Sequence, residues 1–193
     1  MKDPEIRKIF KETELAYYIN DSDSRVIDEL SLPVAKARID IALVNGALHG
    51  FEIKSASDTL KRLTDQMEAY SKIFDYLSVI TEERYLSKIQ ELVPKWVGLF
   101  VCKEIKGKIG IRRVRKGKIN RAKQGFFLAK LLWRDELIEI LTENQITFRK
   151  KDRNWILCEI LSDNLHTEKL SLIVRNKLKG RSDWKNFSEK IMD

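Results

Sequence analysis

The chain has 193 residues, 43% hydrophobic and 34% charged, with a net charge of +8 and a pI near 9.4. That length fits one domain or a domain with a small appendage, and the excess of Lys and Arg favours an anionic partner, nucleic acid before an acidic membrane surface. Its two cysteines, Cys102 and Cys158, each lie in an apolar run, and its two histidines, His49 and His166, stand far apart, which excludes a disulfide framework and a zinc site built on clustered ligands.

The start, MKDPEIRKIF, is too polar for a secretory signal, and no run reaches the roughly 18 apolar residues of a membrane span. We therefore expect a cytoplasmic protein with no membrane partner. Pro4, after the candidate cap Asp3, opens a helix expected over residues 4–19, with Ile6, Ile9, Phe10 and Tyr17 at roughly helical spacing. The period then changes. RVIDELSL and ARIDIALV are short and β-branched, with Pro33 between them, and Asn45-Gly46 is a hairpin signal leading into LHGFEIKS. Three consecutive antiparallel strands are predicted.

Asp58 is placed to cap the next helix, where Leu60, Leu63, Met67, Tyr70 and Phe74 mark one apolar face. DYLSVIT follows as a strand and ERYLSKIQELV as a helix closed by Pro94. A helix between two strands makes a crossover, so that strand pair is expected to be parallel. VGLFVCKEI and IGIRRVRK form a hairpin around Lys106-Gly107-Lys108. From Phe126 the chain turns helical, with FFLAKLLWRDELIEILTEN as one long segment and RNWILCEILSDN and TEKLSLIVRNKLKG as two more. The composition shift divides the chain into a core, residues 1–123, and a helical C-terminal module, residues 124–193. Trp96, Trp133, Trp155 and Trp184 are expected in the core and its contacts, and His49, just after the turn, as a structural histidine.

Residues 103–123 hold ten basic side chains against one acid, Glu104. Charge on an edge strand also protects it from pairing with other chains. As a nucleic-acid surface, the segment offers Lys106, Lys108, Arg112, Arg113, Arg115, Lys116 and Lys118 to a phosphate backbone.

Two carboxylates and a lysine interrupt the apolar strands. In FEIKS, Glu52 and Lys54 lie two apart and share one face, with Phe51, Ile53 and Ser55 on the other. Asp40 on the neighbouring strand reaches Glu52 if the register allows. Close carboxylates repel unless a cation joins them, and a hard divalent ion such as Mg²⁺ (or Mn²⁺) is held by one or two carboxylates plus water and phosphate oxygens. The Ile53 carbonyl offers another oxygen. A nearby lysine can orient water or stabilise charge on a phosphate. The alternative is an exposed strand face carrying a cross-strand ion pair.

Asp40, then Glu52-Ile53-Lys54, then Gln66-Met67-Glu68-Ala69-Tyr70 as a Q-x-x-x-Y element, resembles the PD-(D/E)XK nuclease superfamily. The string from Glu52 through Asp58-Thr59-Leu60-Lys61-Arg62-Leu63 to Gln66, with Leu132-Trp133-Arg134-Asp135-Glu136 and Arg181-Ser182-Asp183-Trp184, is similar to a small family of bacterial and phage proteins within it. The resemblance implies an α/β fold with a mixed sheet and a restriction-endonuclease-like αβββαβ core. It implies Asp40 and Glu52 as metal ligands, Lys54 as the catalytic lysine, and Gln66 and Tyr70 as support. Ile39 stands where the superfamily often has Pro. For a further acid, Glu29 is preferred, with Glu14, Glu12 and Glu5 on the first helix as alternatives.

The expected function is metal-dependent hydrolysis of DNA phosphodiesters, with RNA as the other substrate class and a homodimer or larger complex as the assembly. The alternatives are a non-catalytic nucleic-acid-binding module, with the last three helices as a helix-turn-helix-like reader, and a subunit of a mobile-element or phage-defence complex.

Overall fold

The computed structural model describes residues 1–35, 37–55 and 60–181. Helices α1 (Asp3–Thr13) and α2 (Ala16–Asn20) lead into strands β1 (Arg25–Ser31), β2 (Arg38–Val44) and β3 (Leu48–Lys54). Then come α3 (Leu63–Ser71), β4 (Tyr76–Glu82), α4 (Leu86–Leu92), β5 (Gly98–Ile105) and β6 (Lys108–Arg115). Four helices close the described chain: α5 (Gly125–Ala129), α6 (Arg134–Glu143), α7 (Asn154–Asn164) and α8 (Thr167–Gly180). The fold is mixed α+β.

One six-stranded sheet runs in chain order, β1 to β6. β1, β2 and β3 are antiparallel, β3–β4 and β4–β5 are parallel through their crossover helices, and β6 returns antiparallel on β5. Both predicted turns sit where expected. At the second, Lys106 (φ 51°) and Gly107 (φ 75°) are both left-handed, the pairing that a two-residue hairpin with right-twisted strands requires.

The sheet is buried on both faces, which is why β3, β4 and β5 read as nearly continuous apolar runs. On one face, Ile6 and Phe10 of α1 pack on Ile41, Phe51, Ile53, Ile80 and Phe100. On the other, Leu63, Met67 and Tyr70 of α3 join Ile39, Val79 and Leu99. The same apolar cluster continues through Leu128, Leu141, Leu157, Leu161, Leu170, Val174 and Leu178. The composition shift at 124 thus marks where helices begin, while the core runs across it unbroken.

Several expected elements are divided. The first helix stops at Thr13 because the stripe of Ile6 and Phe10 meets Glu14, and the chain bends to bury Leu15 before α2 begins. Asp3 is in the first turn and does not cap it. The long segment from Phe126 breaks between α5 and α6. Leu131 and Leu132 are both buried, Trp133 is extended, and its N–H donates to Glu136 Oε2 at 2.7 Å, which starts α6 afresh. Trp155 is 49% exposed and so lies outside the core, whereas Trp96 and Trp133 pack against it. Asp58, the expected cap, and Trp184 lie outside the described residues. Cys102 and Cys158 are buried free thiols, as expected, and burial pushes each up to about 12.

Candidate functional site

The site lies where β2 begins and β3 ends. The register that pairs Ile41 with Phe51 carries Asp40 opposite Glu52. There the backbone ladder gives way to a side chain, since Asp40 Oδ2 accepts the Ile53 N–H at 2.7 Å. On the other side of β2, Glu29 adopts a left-handed φ of 54° between the Asp28–Ile41 and Leu30–Ile39 pairs. The alternation of both strands slips here, so that Ile27 and Leu30, and likewise Ile39 and Ala42, face the same core. A left-handed non-glycine residue costs on the order of 1 kcal/mol or more, which marks this point of the sheet as held in place by its surroundings.

Glu52 and Lys54 point toward α3 and are 3% and 7% exposed. Lys54 Nζ donates to Glu52 Oε1 at 2.6 Å and to Gln66 Oε1 at 2.9 Å. Gln66 Nε2 returns a bond to Glu52 Oε1 at 2.8 Å. The single proton of the Tyr70 hydroxyl is shared between Glu52 Oε2 and the Arg38 carbonyl, both at 2.8 Å. Four of the expected residues thus form one hydrogen-bonded cluster. Tyr70, fully buried, is also core, and burial with the Glu52 charge pushes its phenol far up, keeping it protonated. The i, i+4 spacing of Gln66 and Tyr70 is what lets both reach one carboxylate.

Asp40 joins this cluster through its charge. Burial first and the neighbouring Glu52 second push its carboxyl up to about 7, against the Ile53 N–H and the Arg7 guanidinium, which pull it down. Arg7 on α1 was not singled out from the sequence. Its Nη1 donates to the Asp40 carbonyl at 2.9 Å, and its Nη2 lies 3.2 Å from Asp40 Oδ1, 3.2 Å from Asp3 Oδ1 and 3.7 Å from Glu29 Oε1. The signal for it was the i, i+4 pair Asp3 and Arg7 in the first helix. A cleft of about 820 Å³ borders Arg7, Asp3 and Glu29.

The preferred third acid is not brought to Glu52. Glu29 pairs with Arg38 at 3.1 Å and touches Asp40 only through Arg7. Of the helix alternatives, Glu5 accepts the Lys2 N–H, Glu12 lies 3.9 Å from Lys8, and Glu14 follows the end of α1. The α1 acid nearest in charge to Asp40 is Asp3. Among the described residues, no group of three His, Cys, Asp or Glu side chains is arranged to hold a metal ion. Asp40, Glu52 and the Ile53 carbonyl are a set of hard oxygens. That set fits Mg²⁺ or Mn²⁺, which takes one or two carboxylates and completes its shell with water and phosphate, and it does not fit an all-protein cage.

The basic segment divides too. Lys106, Lys108, Arg112, Arg113, Lys116 and Lys118 are exposed. Arg115 is committed to the backbone, with Nε 2.7 Å from the Val97 carbonyl and Nη2 3.3 Å from that of Pro94. Arg112 pairs with Val101, which is level with Thr81 and then Lys54, so it stands three strands, or roughly 14 Å, across the sheet from the lysine of the site. The tail differs. On α8, Lys177 reaches Glu139 at 2.6 Å, Lys179 reaches Asp23 at 2.5 Å and Arg175 lies 3.7 Å from Asp75. These cations face partners within the protein, which counts against α8 as a reader of nucleic acid. The two tail motifs meet each other: the Arg181 guanidinium lies 4.2 Å from the Trp133 ring centroid and its Nε donates to Glu136 at 3.0 Å. No helix among the described residues is long and apolar enough to cross a membrane.

Among solved structures, the chain is similar to a protein of unknown function from Silicibacter pomeroyi, with a TM-score of 0.39 and 13% identity over 89% of this chain and 92% of that one. Among curated proteins it is 28% identical over 160 residues to protein cII of Enterobacteria phage P4. That match takes in 83% of this chain and 60% of the phage protein, so the chain spans less than two thirds of its relative. The profile of the family described as bacteriophage P4 protein cII matches residues 8–192, nearly the whole length, and the chain belongs to that family.

Proposed function

We propose that the chain is a metal-dependent nuclease of the PD-(D/E)XK kind, hydrolysing DNA phosphodiester bonds at Asp40, Glu52 and Lys54. The observation that carries this reading is the convergence of two carboxylates and a lysine at the β2–β3 end, braced by Gln66 and Tyr70 from the next helix. The order α1, the short α2, β1, β2, β3, α3, β4, with three antiparallel strands followed by a parallel one, supports the αβββαβ core that such a site requires.

Asp40, Glu52 and the Ile53 carbonyl would hold Mg²⁺ or Mn²⁺, which supplies Lewis-acid stabilisation of charge on the phosphate. The chain's own residues do the rest. Lys54 has three N–H donors, and Glu52 and Gln66 take two, leaving one for a water or a phosphate oxygen. Tyr70 and Gln66 fix the Glu52 rotamer, and Arg7 with the Ile53 N–H fixes that of Asp40. Lys106, Lys108 and Arg112 bind the backbone of the strand, so affinity falls steeply with salt.

A second reading, a nucleic-acid binder without catalysis, is favoured by one observation: the oxygens of both carboxylates already accept hydrogen bonds from the protein. The deciding assay incubates the protein and Lys54→Ala with plasmid, linear duplex, single-stranded DNA and RNA, in Mg²⁺, Mn²⁺ or EDTA. Cutting that needs metal and is lost in the variant supports the nuclease. Binding retained by both proteins without cutting, in every metal, transfers the conclusion to the binder or to a partner-dependent subunit.

A further inference from the structure

On the face of the sheet opposite Glu52 and Lys54, toward the other end of the strands, lies a second cleft of about 370 Å³. Its floor is aromatic. His49 of β3 and Tyr76 of β4 are cross-strand partners with ring centroids 5.0 Å apart and 14° from parallel. Phe51, two residues on, lies 6.4 Å from His49 and 6° from parallel. The three rings are stacked in a row with His49 in the middle, and Phe51, 8% exposed, closes one end against Phe10 at 5.0 Å, so Tyr76 is the outer ring of the row. Burial lowers the His49 imidazole from its ordinary value, so at neutral pH it is uncharged, with one ring nitrogen to donate and one to accept.

Arg113 and Lys116 also line this cleft, both exposed, against one carboxylate, Glu14. Among the described residues neither cation has an ion-pair partner, unlike those on α8. Lys116 is held there by the backbone. A Cβ on Gly98 would come within 2.5 Å of Ser78 Oγ and 3.0 Å of the Gly117 nitrogen, so the two glycines let residues 116–118 lie against β5, and Lys118 N bonds the Trp96 carbonyl at 2.8 Å.

We propose that this cleft binds an unpaired nucleotide of a single-stranded nucleic acid, its base extending the stacked row at Tyr76 and its phosphates on Arg113 and Lys116. Flat aromatic side chains accept any base by stacking, and lysine and arginine hold the backbone. A strand is preferred to a free nucleotide because the cations do not stop at the cleft: Lys118 and Arg121, both exposed, continue past Gly117. The inference needs no hydrolysis at Glu52 and stands or falls separately from it.

The test uses the full chain in EDTA, so that no cutting intervenes, with a single-stranded oligonucleotide carrying 2-aminopurine, the matching duplex, and dAMP. Stacking should quench the 2-aminopurine fluorescence on binding. Tyr76→Leu keeps the apolar bulk and removes the ring. It should weaken single-strand binding roughly tenfold and abolish the quench while duplex binding stays within about twofold. Arg113→Ser with Lys116→Ser alters exposed positions only, and it should lower the slope of log K against log salt by about 1.4 on single strands. That double variant decides the matter if circular dichroism shows Tyr76→Leu unfolded. Tight single-strand binding with no quench, equal losses on single strand and duplex, or dAMP binding as tightly as the oligonucleotide would each overturn the proposal.

Discussion

Two buried carboxylates, Glu52 and Asp75, each hold a lysine inside this protein, and both are 3% exposed. Their partners differ in where they come from. Asp75 accepts the Leu48 N–H at 2.7 Å, pairs with Lys123 and lies 3.7 Å from Arg175 on α8. Its own carbonyl takes the Asn120 N–H at 2.8 Å, and Asn120 Nδ2 bonds the Ser71 and Phe74 carbonyls at 2.6 and 2.9 Å. That cluster stitches β3, the basic linker and the last described helix together. Glu52 draws every partner from its own strand and the next helix, and it has a second carboxylate, Asp40, near enough to push on. A buried carboxylate–lysine pair is therefore not by itself a sign of chemistry. One that joins distant segments carries the fold, and one crowded by a like charge at the end of a strand is the candidate for chemistry.

The largest expected effect is on stability. Asp75→Asn takes the buried counter-charge from both Lys123 and Arg175, leaving Lys123 only the exposed Glu168 at 3.2 Å, and should cost about 3 kcal/mol in urea unfolding. Glu52→Gln should cost less than half of that, because Lys54 sits at the end of its strand and the repulsion with Asp40 is relieved. Equal losses would erase the distinction. Next comes catalysis. On the nuclease reading, Lys54→Ala should reduce cleavage by roughly 10²–10³-fold, the range for losing one donor to a developing charge, and should also lower the unfolding midpoint, because Glu52 is left buried without its counter-charge.

The third effect is a pH dependence. The Asp40 carboxyl is raised from 3.8 to about 7, so the folded state binds the extra proton between those values. Its contribution is full below pH about 4 and is lost as pH rises to about 7. A shift of about three units is worth at most roughly 4 kcal/mol, and partial solvent contact of the side chain reduces it to about half. Asp40→Asn should flatten that limb of the stability profile, whereas Asp75→Asn should leave its shape alone. An unchanged slope in Asp40→Asn would show that burial and Glu52 together do not raise it. The smallest effect is on binding: Lys108→Ser with Arg112→Ser should lower the duplex salt slope by about 1.8, and Lys177→Ser with Lys179→Ser, already ion-paired on α8, should not change it.

Much of this was legible before any coordinates. Asn45-Gly46 and Lys106-Gly107 announced their hairpins through turn chemistry, and the two-residue spacing of Glu52 and Lys54 placed both on one face. The meeting of Asp40 with Glu52 needed only the register that the first turn sets. Arg7 was harder to see: the i, i+4 pair with Asp3 marks an ion pair on the helix, but the contact with Asp40 comes from the packing of α1 over β2, across 33 residues. The break at Glu14-Leu15 was readable from the stripe running out. The break before Trp133 was masked by Leu131 and Leu132, both buried in the core, which extend an apolar helix pattern. Glu29 was chosen for its strand, and its strand was correctly placed. A left-handed φ then turned it toward Arg38, and a backbone sign of that kind leaves no trace in glutamate as a residue type.

The unbroken core has a consequence for how the chain is made. The buried residues of the α1 face are complete once β5 has been synthesised, and Ile109 and Ile111 of β6, which pack on them, follow directly. The α3 face waits for Leu170, Val174 and Leu178. At about 5–20 residues per second, the two faces of one sheet mature on the order of ten seconds apart. During that interval this face is covered by α3 and α4 alone, and a ribosome stalled in the basic linker would leave a half-clad sheet with a strong tendency to aggregate.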